Sequence, residues 1–457
     1  MSVADSSHNR GQLGRLPTGT RPVYWLCAAV VLAFLLAGAI ALAATFTPDI
    51  TAQLGYSDNI RFQSNARSDA FLRLEPGFKL EAGRPSRRFM AKGRLRYTEY
   101  LEHSELTQFE GGDLDLAYHH EFSQRWDLLL RNTLTSSYDE PILSDRDQRV
   151  VQLRGDQGRR DSNVTYIRSE YRWGPEDYFY GGYRYDITRN TSDSAEDSQH
   201  HQVEAGFGSR LGPDWRTELS GYSRYNDYEK SADTQRSEIT ATLYRLMGPT
   251  RSAYLRAVFM DLQGEGGGAQ ERDNRSYRTY TFSLGYDHEV SKIFKWGVSL
   301  GFSSVEGESQ ANAAAGNDYP TVSAYLSWLG EVWQLTFFAD SSLGEYDLYG
   351  DNSGLSFTRR VGVNYLHHLG RHWTLETQAI WITDSYKQDP FLTGTDPQYR
   401  GDVTSYLLHA RLTWQVARHA YLGLDYRYQE RDDEDDQYDR RENRIFSFLT
   451  YEWPYRW

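Results

Sequence analysis

The last seventeen residues, Arg441 to Trp457, constrain the chain more than any other stretch. From Leu449 onward every second residue is large and apolar or aromatic: Leu449, Tyr451, Trp453, Tyr455 and Trp457. Thr450, Glu452, Pro454 and Arg456 stand between them. A strand points successive side chains to opposite faces, so this segment has one side for hydrocarbon and one for water. An alternating soluble strand would seldom end on three alternating aromatics. Such rings collect at the boundary between lipid and water.

The same rhythm runs through the chain. No Pro-rich or Ser-rich linker and no change of period divides its 457 residues, which predicts one large domain. Hydrophobic content is 39%, too low for a helical membrane protein, while 34 Tyr and 12 Trp exclude a disordered one. A barrel strand needs only one apolar face, and this composition suits it. Formal charge is −13; Arg10, Arg15 and Arg21 against Asp5 give the leader +2, leaving −15 for the rest. An acidic chain is a poor match for a phosphate backbone, so nucleic acid is not an expected partner.

Residues 1–43 read as a signal peptide: three arginines, an apolar run from Val23 to Ala44, and a small-residue end at Ala41-Leu42-Ala43-Ala44, with cleavage expected after Ala43. An uncleaved anchor is the alternative, since the run approaches bilayer length. The only cysteine, Cys27, lies in this run, so the processed chain has neither thiol nor disulfide.

Residues 44–457 repeat one unit of strand, short turn, strand and longer polar loop. The short turns are Gly83 to Ser86, Ser123 to Arg125, Gly174 to Asp177, Gly212 to Asp214, Gly248 to Arg251, Glu289 to Lys292, Leu329 to Glu331, Leu369 to Arg371 and Ala417 to His419. The longer connections include Gln63 to Ser68, Asp139 to Asp161 and Ser342 to Ser353. The predicted fold is all-β: a transmembrane antiparallel barrel of about 20 strands, range 18–22, with short periplasmic turns and longer extracellular loops. Outer-membrane lipid and lipopolysaccharide would surround it.

Charge cannot face lipid at mid-membrane without costing roughly 2–4 kcal/mol per basic residue, so alternation assigns an interior. The expected lining is Arg73, Glu75, Lys79, Lys92, Arg94, Arg96, Arg168, Glu170, Arg172, Arg184, Asp186, Arg216, Glu218, Arg224, Arg256, Glu376, Arg411, Asp425 and Arg427. Arg278 and His120 break the rule, which places them near a rim. A barrel this wide has room for an aqueous channel. The basic excess in this set favours anions. The alternative is that these charges pair across the lumen and stiffen the wall.

The C-terminal strand resembles that of bacterial outer-membrane barrels, whose final aromatic is recognised by the barrel-assembly machinery. The opening segment, with Tyr56-Ser57-Asp58-Asn59-Ile60 in a strand expected from Asp49 to Arg61, precedes Phe71-Leu72-Arg73-Leu74-Glu75-Pro76-Gly77-Phe78. This pair resembles the outer-membrane β-barrel porins associated with exopolysaccharide-export and exosortase systems. The resemblance implies an integral outer-membrane protein linked to exopolysaccharide secretion, with polysaccharide or another anionic solute as passenger, and no catalytic residue. A general diffusion porin, an outer-membrane hydrolase and a structural scaffold stay open as alternatives.

Other motifs carry less. Asp432-Asp433-Glu434-Asp435-Asp436 lacks the Gly turn and spacing of a calcium loop and reads as solvated. The pairs His119-His120, His200-His201 and His367-His368 would point to opposite faces of a strand, so no metal or other cofactor is expected. Ser405 and His409 share a face, the one local hydroxyl and base that a hydrolase could use. The loop Asp139 to Asp161, rich in Arg and Asp, either folds inward as a constriction or stays outside.

Overall fold

The computed structural model describes residues 44–60, 62, 65–104, 108–137, 159–191, 197–229, 233–265, 276–307, 318–348, 351–386, 402–433 and 439–456. Residues 1–43, expected as a signal peptide, most of the Asp139–Asp161 loop, Glu434 to Asp436 and Trp457 lie outside this set.

Each strand pairs antiparallel with its sequence neighbours. β1 (Ala44–Ser57) runs to β2 (Asp69–Arg84), then β3 (Arg87–Tyr100), β4 (Gln108–Ser123), β5 (Trp126–Ser137), β6 (Arg160–Arg172) and β7 (Tyr178–Asn190). There follow β8 (Ser198–Arg210), β9 (Trp215–Tyr228), β10 (Asp233–Leu246), β11 (Arg251–Glu265), β12 (Ser276–Ser291), β13 (Phe294–Gly307) and β14 (Asp318–Leu329). The last are β15 (Trp333–Leu348), β16 (Asp351–Leu369), β17 (Trp373–Tyr386), β18 (Asp402–Ala417), β19 (Ala420–Asp433), β20 (Arg440–Glu452) and the two-residue β21 (Tyr455–Arg456).

The barrel closes where β1 meets β20, in register from Asp49↔Glu452 to Ser57↔Arg444. Beyond Glu452 the chain continues beside β1, with Thr45↔Arg456 and Phe46↔Tyr455 paired in β21. Pro454 has no N–H to offer a ladder, and the strand is interrupted there. The neighbouring Trp453 N–H still donates to the Pro48 carbonyl at 2.9 Å. β20 and β21 are thus one interrupted stave, and the barrel has twenty. Closure pairs the first stave with the last, the condition a strand structure must meet in hydrocarbon.

All nine short turns stand where their turn residues predict. Gly83, Gly212, Gly248 and Gly370, in four of them, have φ between 80° and 104°, a region that a side chain disfavours. At the β6–β7 turn the Arg210 N–H and the Ser209 hydroxyl both donate to Asp177 at 2.8 Å. Those bonds hold its carboxyl below the ordinary carboxylate range.

Two connections depart from the sequence reading. The opening strand ends at Ser57, not Arg61, because Asp58 and Asn59 turn the chain out of the sheet. Ser342 to Ser353, expected as a loop, is instead largely ladder, with β15 and β16 paired as far as Leu348↔Asp351. Its Gly and Asp content imitates a loop, while the backbone stays paired to Leu348↔Asp351.

The outer face carries the apolar half of the rhythm. Leu54, Leu72, Ile167, Val203, Ile239, Leu255, Leu284, Leu300 and Leu424 are all exposed, Leu284 to 65%. A soluble protein does not present such a continuous apolar belt. Nine tryptophans border it at the short-turn end: Trp126, Trp173, Trp215, Trp296, Trp328, Trp333, Trp373, Trp414 and Trp453. Neighbouring rings pack on one another, Trp373 and Trp414 stacking at 5.3 Å with planes 5° apart. Leu449, Tyr451 and Tyr455 share this face and are exposed. His120 and Arg278 are on it too. His120 packs beside Phe122 near the β4–β5 turn, and Arg278, near the loop end of β12, pairs with Asp261 at 3.0 Å.

Candidate functional site: the barrel lumen

Residues directly opposite in an antiparallel ladder share a face, so the register traces one surface around the barrel. Starting from Arg73, whose neighbours Leu72 and Leu74 are exposed on the apolar side, every one of the nineteen charged positions falls on the other surface. That surface is the concave one, because there side chains reach past an intervening strand. Tyr166 on β6 donates to Glu204 on β8 at 2.7 Å, and Tyr325 on β14 to Asp287 on β12 at 2.9 Å. Arg73 on β2 meets Glu110 on β4 at 2.7 Å.

The concave charges are mostly paired. Glu170 sits between Arg168 at 2.7 Å and Arg172 at 2.6 Å. Arg184 pairs with Asp186 at 2.8 Å, Arg216 with Glu218, and Lys79 with Glu81 at 3.2 Å. Arg94 lies between Asp49 at 3.6 Å and Glu75 at 3.7 Å, and Arg96 binds Asp113 at 2.5 Å. Between β18 and β19 Asp425, fully buried, accepts from His409 Nε2 and Arg427 Nε at 3.0 Å each, with Arg411 Nε at 3.8 Å. Glu376 stands opposite Arg411 in the register. Arg224 and Arg256 have neutral partners, Asn226 at 2.7 Å and Thr242 at 3.3 Å, and Lys92 stands between Lys79 and Asp115 in the ladder.

Reading the sequence alone overlooked carboxylates that complete these pairs. Asp113 and Asp115 alternate with Leu114 and Leu116, so their phase was visible; Asp115 receives both Nε and Nη2 of Arg131 at 2.9 Å. Glu204, Glu238, Asp340 and Glu442 follow the same phase in their strands. Glu110 could not be found this way. A bulge opposite Arg96 and Tyr97 inserts one residue at Gly111, whose φ is 111°, and turns Glu110 to the concave side against the local count. With these groups included, the interior is close to balanced, and the expected basic excess is largely neutralised by pairing.

Aromatic rings lie along the wall instead of across it. Tyr180 covers Gly206, where a Cβ would come within 2.2 Å of the ring, and Tyr254 covers Gly285 in the same way, at 2.0 Å. Arg168 stacks over Tyr180 at 3.8 Å from the ring centre. Glycine on the neighbouring strand therefore keeps the rings flat and the lumen wide.

The loop end is different, because two segments fold inward. β14 and β15 stop pairing at Ser323↔Asp340, although both strands continue. By strand parity Leu343 and Phe357 lie on the surface opposite Asp340 and Arg360. Yet they pack against Met260, Leu262, Tyr277, Val305 and Tyr319, all of them concave-side residues of β11 to β14. The β15–β16 hairpin therefore passes inside the barrel wall. The second segment follows β1: Phe62 packs against Phe338, Ile380, Ile382 and Leu407, again concave-side residues.

Ser405 and His409 are four residues apart on one strand, about 13 Å by strand rise, too far for a nucleophile and its base. His409 bonds Asp425 instead. The adjacent histidines divide between faces as strand neighbours do, and among the described residues no cluster of three His, Cys, Asp or Glu is arranged to hold a metal.

No family model matches the chain, and no curated protein is similar to it. Solved structures are similar at low identity. The siderophore receptor PirA from Pseudomonas aeruginosa is 12% identical, covering 89% of this chain and 80% of its own, with a TM-score of 0.47. A BenF-like porin from Pseudomonas fluorescens Pf-5 is 12% identical over 92% of this chain and 100% of its own, TM-score 0.44. OccAB3 of Acinetobacter baumannii is 11% identical over 90% and 99%, TM-score 0.41.

Proposed function

We propose that this chain is an integral outer-membrane channel that passes polar solutes by diffusion. The observation that carries this reading is the division of one closed twenty-strand wall into an exposed apolar face bordered by tryptophans and a concave face of charged and hydroxyl side chains. Such a wall places water inside and lipid outside. The aromatic C-terminal stretch fits the same proposal as the segment presented to the barrel-assembly machinery.

Because most charges pair, selectivity would rest on Arg224 and Arg256, whose partners are neutral, and on Lys92, whose neighbour Asp115 is already engaged by Arg131. A weak anion preference follows. Purified barrel in planar bilayers under a potassium chloride gradient is expected to give a reversal potential displaced toward chloride, and Arg224→Gln with Arg256→Gln to move it toward zero. A cation-selective wild type would overturn the anion preference, and absence of conductance together with unswollen sugar-loaded liposomes would overturn the channel itself.

The narrower role in exopolysaccharide secretion rests on the resemblance of Tyr56 to Ile60 and Phe71 to Phe78, and is a proposal on that ground alone. Adjacent glycosyltransferases and a polysaccharide export channel in the genome would support it; nutrient-uptake genes there would favour a general porin.

A further inference from the structure

Phe62 is an unusual residue in an unusual place. Its φ is +47°, the one non-glycine residue with positive φ among those described, and its ring is 5% exposed on the concave side of the barrel. A non-glycine residue in this region costs roughly 1 kcal/mol or more and persists only when its surroundings hold it.

What holds it is a set of bonds between the start of the β1–β2 connection and β20. The Asp58 carboxylate accepts from the Asn443 backbone N–H at 2.6 Å and from its Nδ2 at 2.7 Å, while the Asp58 N–H donates to the Asn443 carbonyl at 3.1 Å. Asn59, 1% exposed, donates from Nδ2 to the Arg441 carbonyl at 3.0 Å. Ser57 donates to Glu442 at 2.7 Å and receives the Asn59 N–H at 3.1 Å. The Phe62 N–H then closes a turn onto the Asn59 carbonyl at 3.1 Å. The chain leaves the sheet inward, and the ring lands on Ile380, Ile382, Phe338 and Leu407. Apolar side chains at those concave positions have no use in a water-filled lumen unless something apolar covers them.

We propose that Phe62 is a wedge that narrows the lumen by docking on the apolar patch of β15, β17 and β18, and that the Asp58–Asn443 pairing is the latch that keeps it there. The wedge sets the width available to a solute, and so deepens the channel reading on which it rests. The patch it covers adjoins Arg360, which pairs with Asp340 at 2.9 Å and stands opposite Ile382 in the ladder.

Two measurements on the full barrel test this. In planar bilayers, Phe62→Ala is expected to raise single-channel conductance by about twofold, and Asp58→Ala to make the current switch between the wild-type level and that of Phe62→Ala. Independently, in a Cys27→Ser background, Ile382→Cys is expected to react with a water-soluble maleimide about tenfold faster when Phe62 is also alanine, because burial limits access. Equal labelling rates in a barrel shown to be folded by its heat-dependent gel shift would overturn the wedge. Faster labelling with no conductance in any variant would keep the wedge and overturn the channel. Faster labelling with conductance present but equal in wild type and Phe62→Ala would overturn the wedge as the element that limits flow.

Discussion

Replacing Ile239 by arginine is expected to destabilise the barrel by about 2–4 kcal/mol, while arginine at the next residue, Thr240, is expected to change stability by less than about 1 kcal/mol. Ile239 is at the middle of β10, 53% exposed on the apolar face, and opposite Gly221 and Phe259 in the ladders on either side. A guanidinium there has hydrocarbon around it and no partner. Thr240 shares the concave face with Ser220 and Val258, one ladder row from Glu238 and its Arg236. The measurement is reversible guanidinium unfolding from lipid vesicles, comparing the two variants with wild type. Equal penalties at the two positions would contradict the assignment of faces.

The second large effect is expected between β18 and β19, the last strands before the closing one. Asp425 is fully buried and serves His409, Arg427 and Arg411 together. Removing one partner of a buried ionic group leaves the others uncompensated, and Asp425→Ala is expected to cost about 3–5 kcal/mol. Asp425→Asn keeps an acceptor oxygen without the charge and should lose less. The stacking of Arg411 on Phe448, at 4.3 Å from the ring centre, and of Arg427 on Phe446, at 5.3 Å, ties the same group to β20. The loss should therefore appear as easier opening at β18–β20, read as faster amide exchange there than in β10–β12. Uniform exchange across the barrel, or a penalty no larger than that of an exposed pair, would show that this cluster does not secure β18–β20.

The sequence made the wall legible because alternation is a local property. Phe89 to Tyr97 or Val164 to Trp173 can be sorted into two faces without knowing what lies beside them, and the nine short turns declare themselves through Gly, Pro and Asp. Three things were not legible. Glu110 changed face through a bulge, which shifts the count by one residue at a glycine that could equally have been a flexible link. The β15–β16 hairpin kept strand pairing through a Gly-rich and Asp-rich segment, and its inward course depends on Leu343 and Phe357 finding apolar residues from four other strands. Phe62 was hidden because Tyr56 to Ile60 reads as a continuing strand; only the contacts of Asp58 and Asn59 with β20, nearly the whole chain away in sequence, turn it inward.

The pairing of lumenal charge follows the same division. Arginines were easy to place because they are costly on the lipid face, while carboxylates beside them were undercounted. A wall with both signs interleaved holds its side chains close, and under the proposed channel function selectivity would rest on a few residues. On that proposal Lys92, Arg224 and Arg256 would matter more to ion preference than the basic excess of the nineteen positions suggests.

The most direct test is a nitroxide scan along β10 from Arg236 to Leu243, one label at a time, in a Cys27→Ser chain reconstituted into lipid bilayers. Oxygen should relax the labels at Ser237, Ile239, Ala241 and Leu243, and a water-soluble nickel chelate those at Arg236, Glu238, Thr240 and Thr242, in strict alternation. A scan without alternation, or one with the two sets exchanged, would contradict a wall that faces lipid on one side and water on the other.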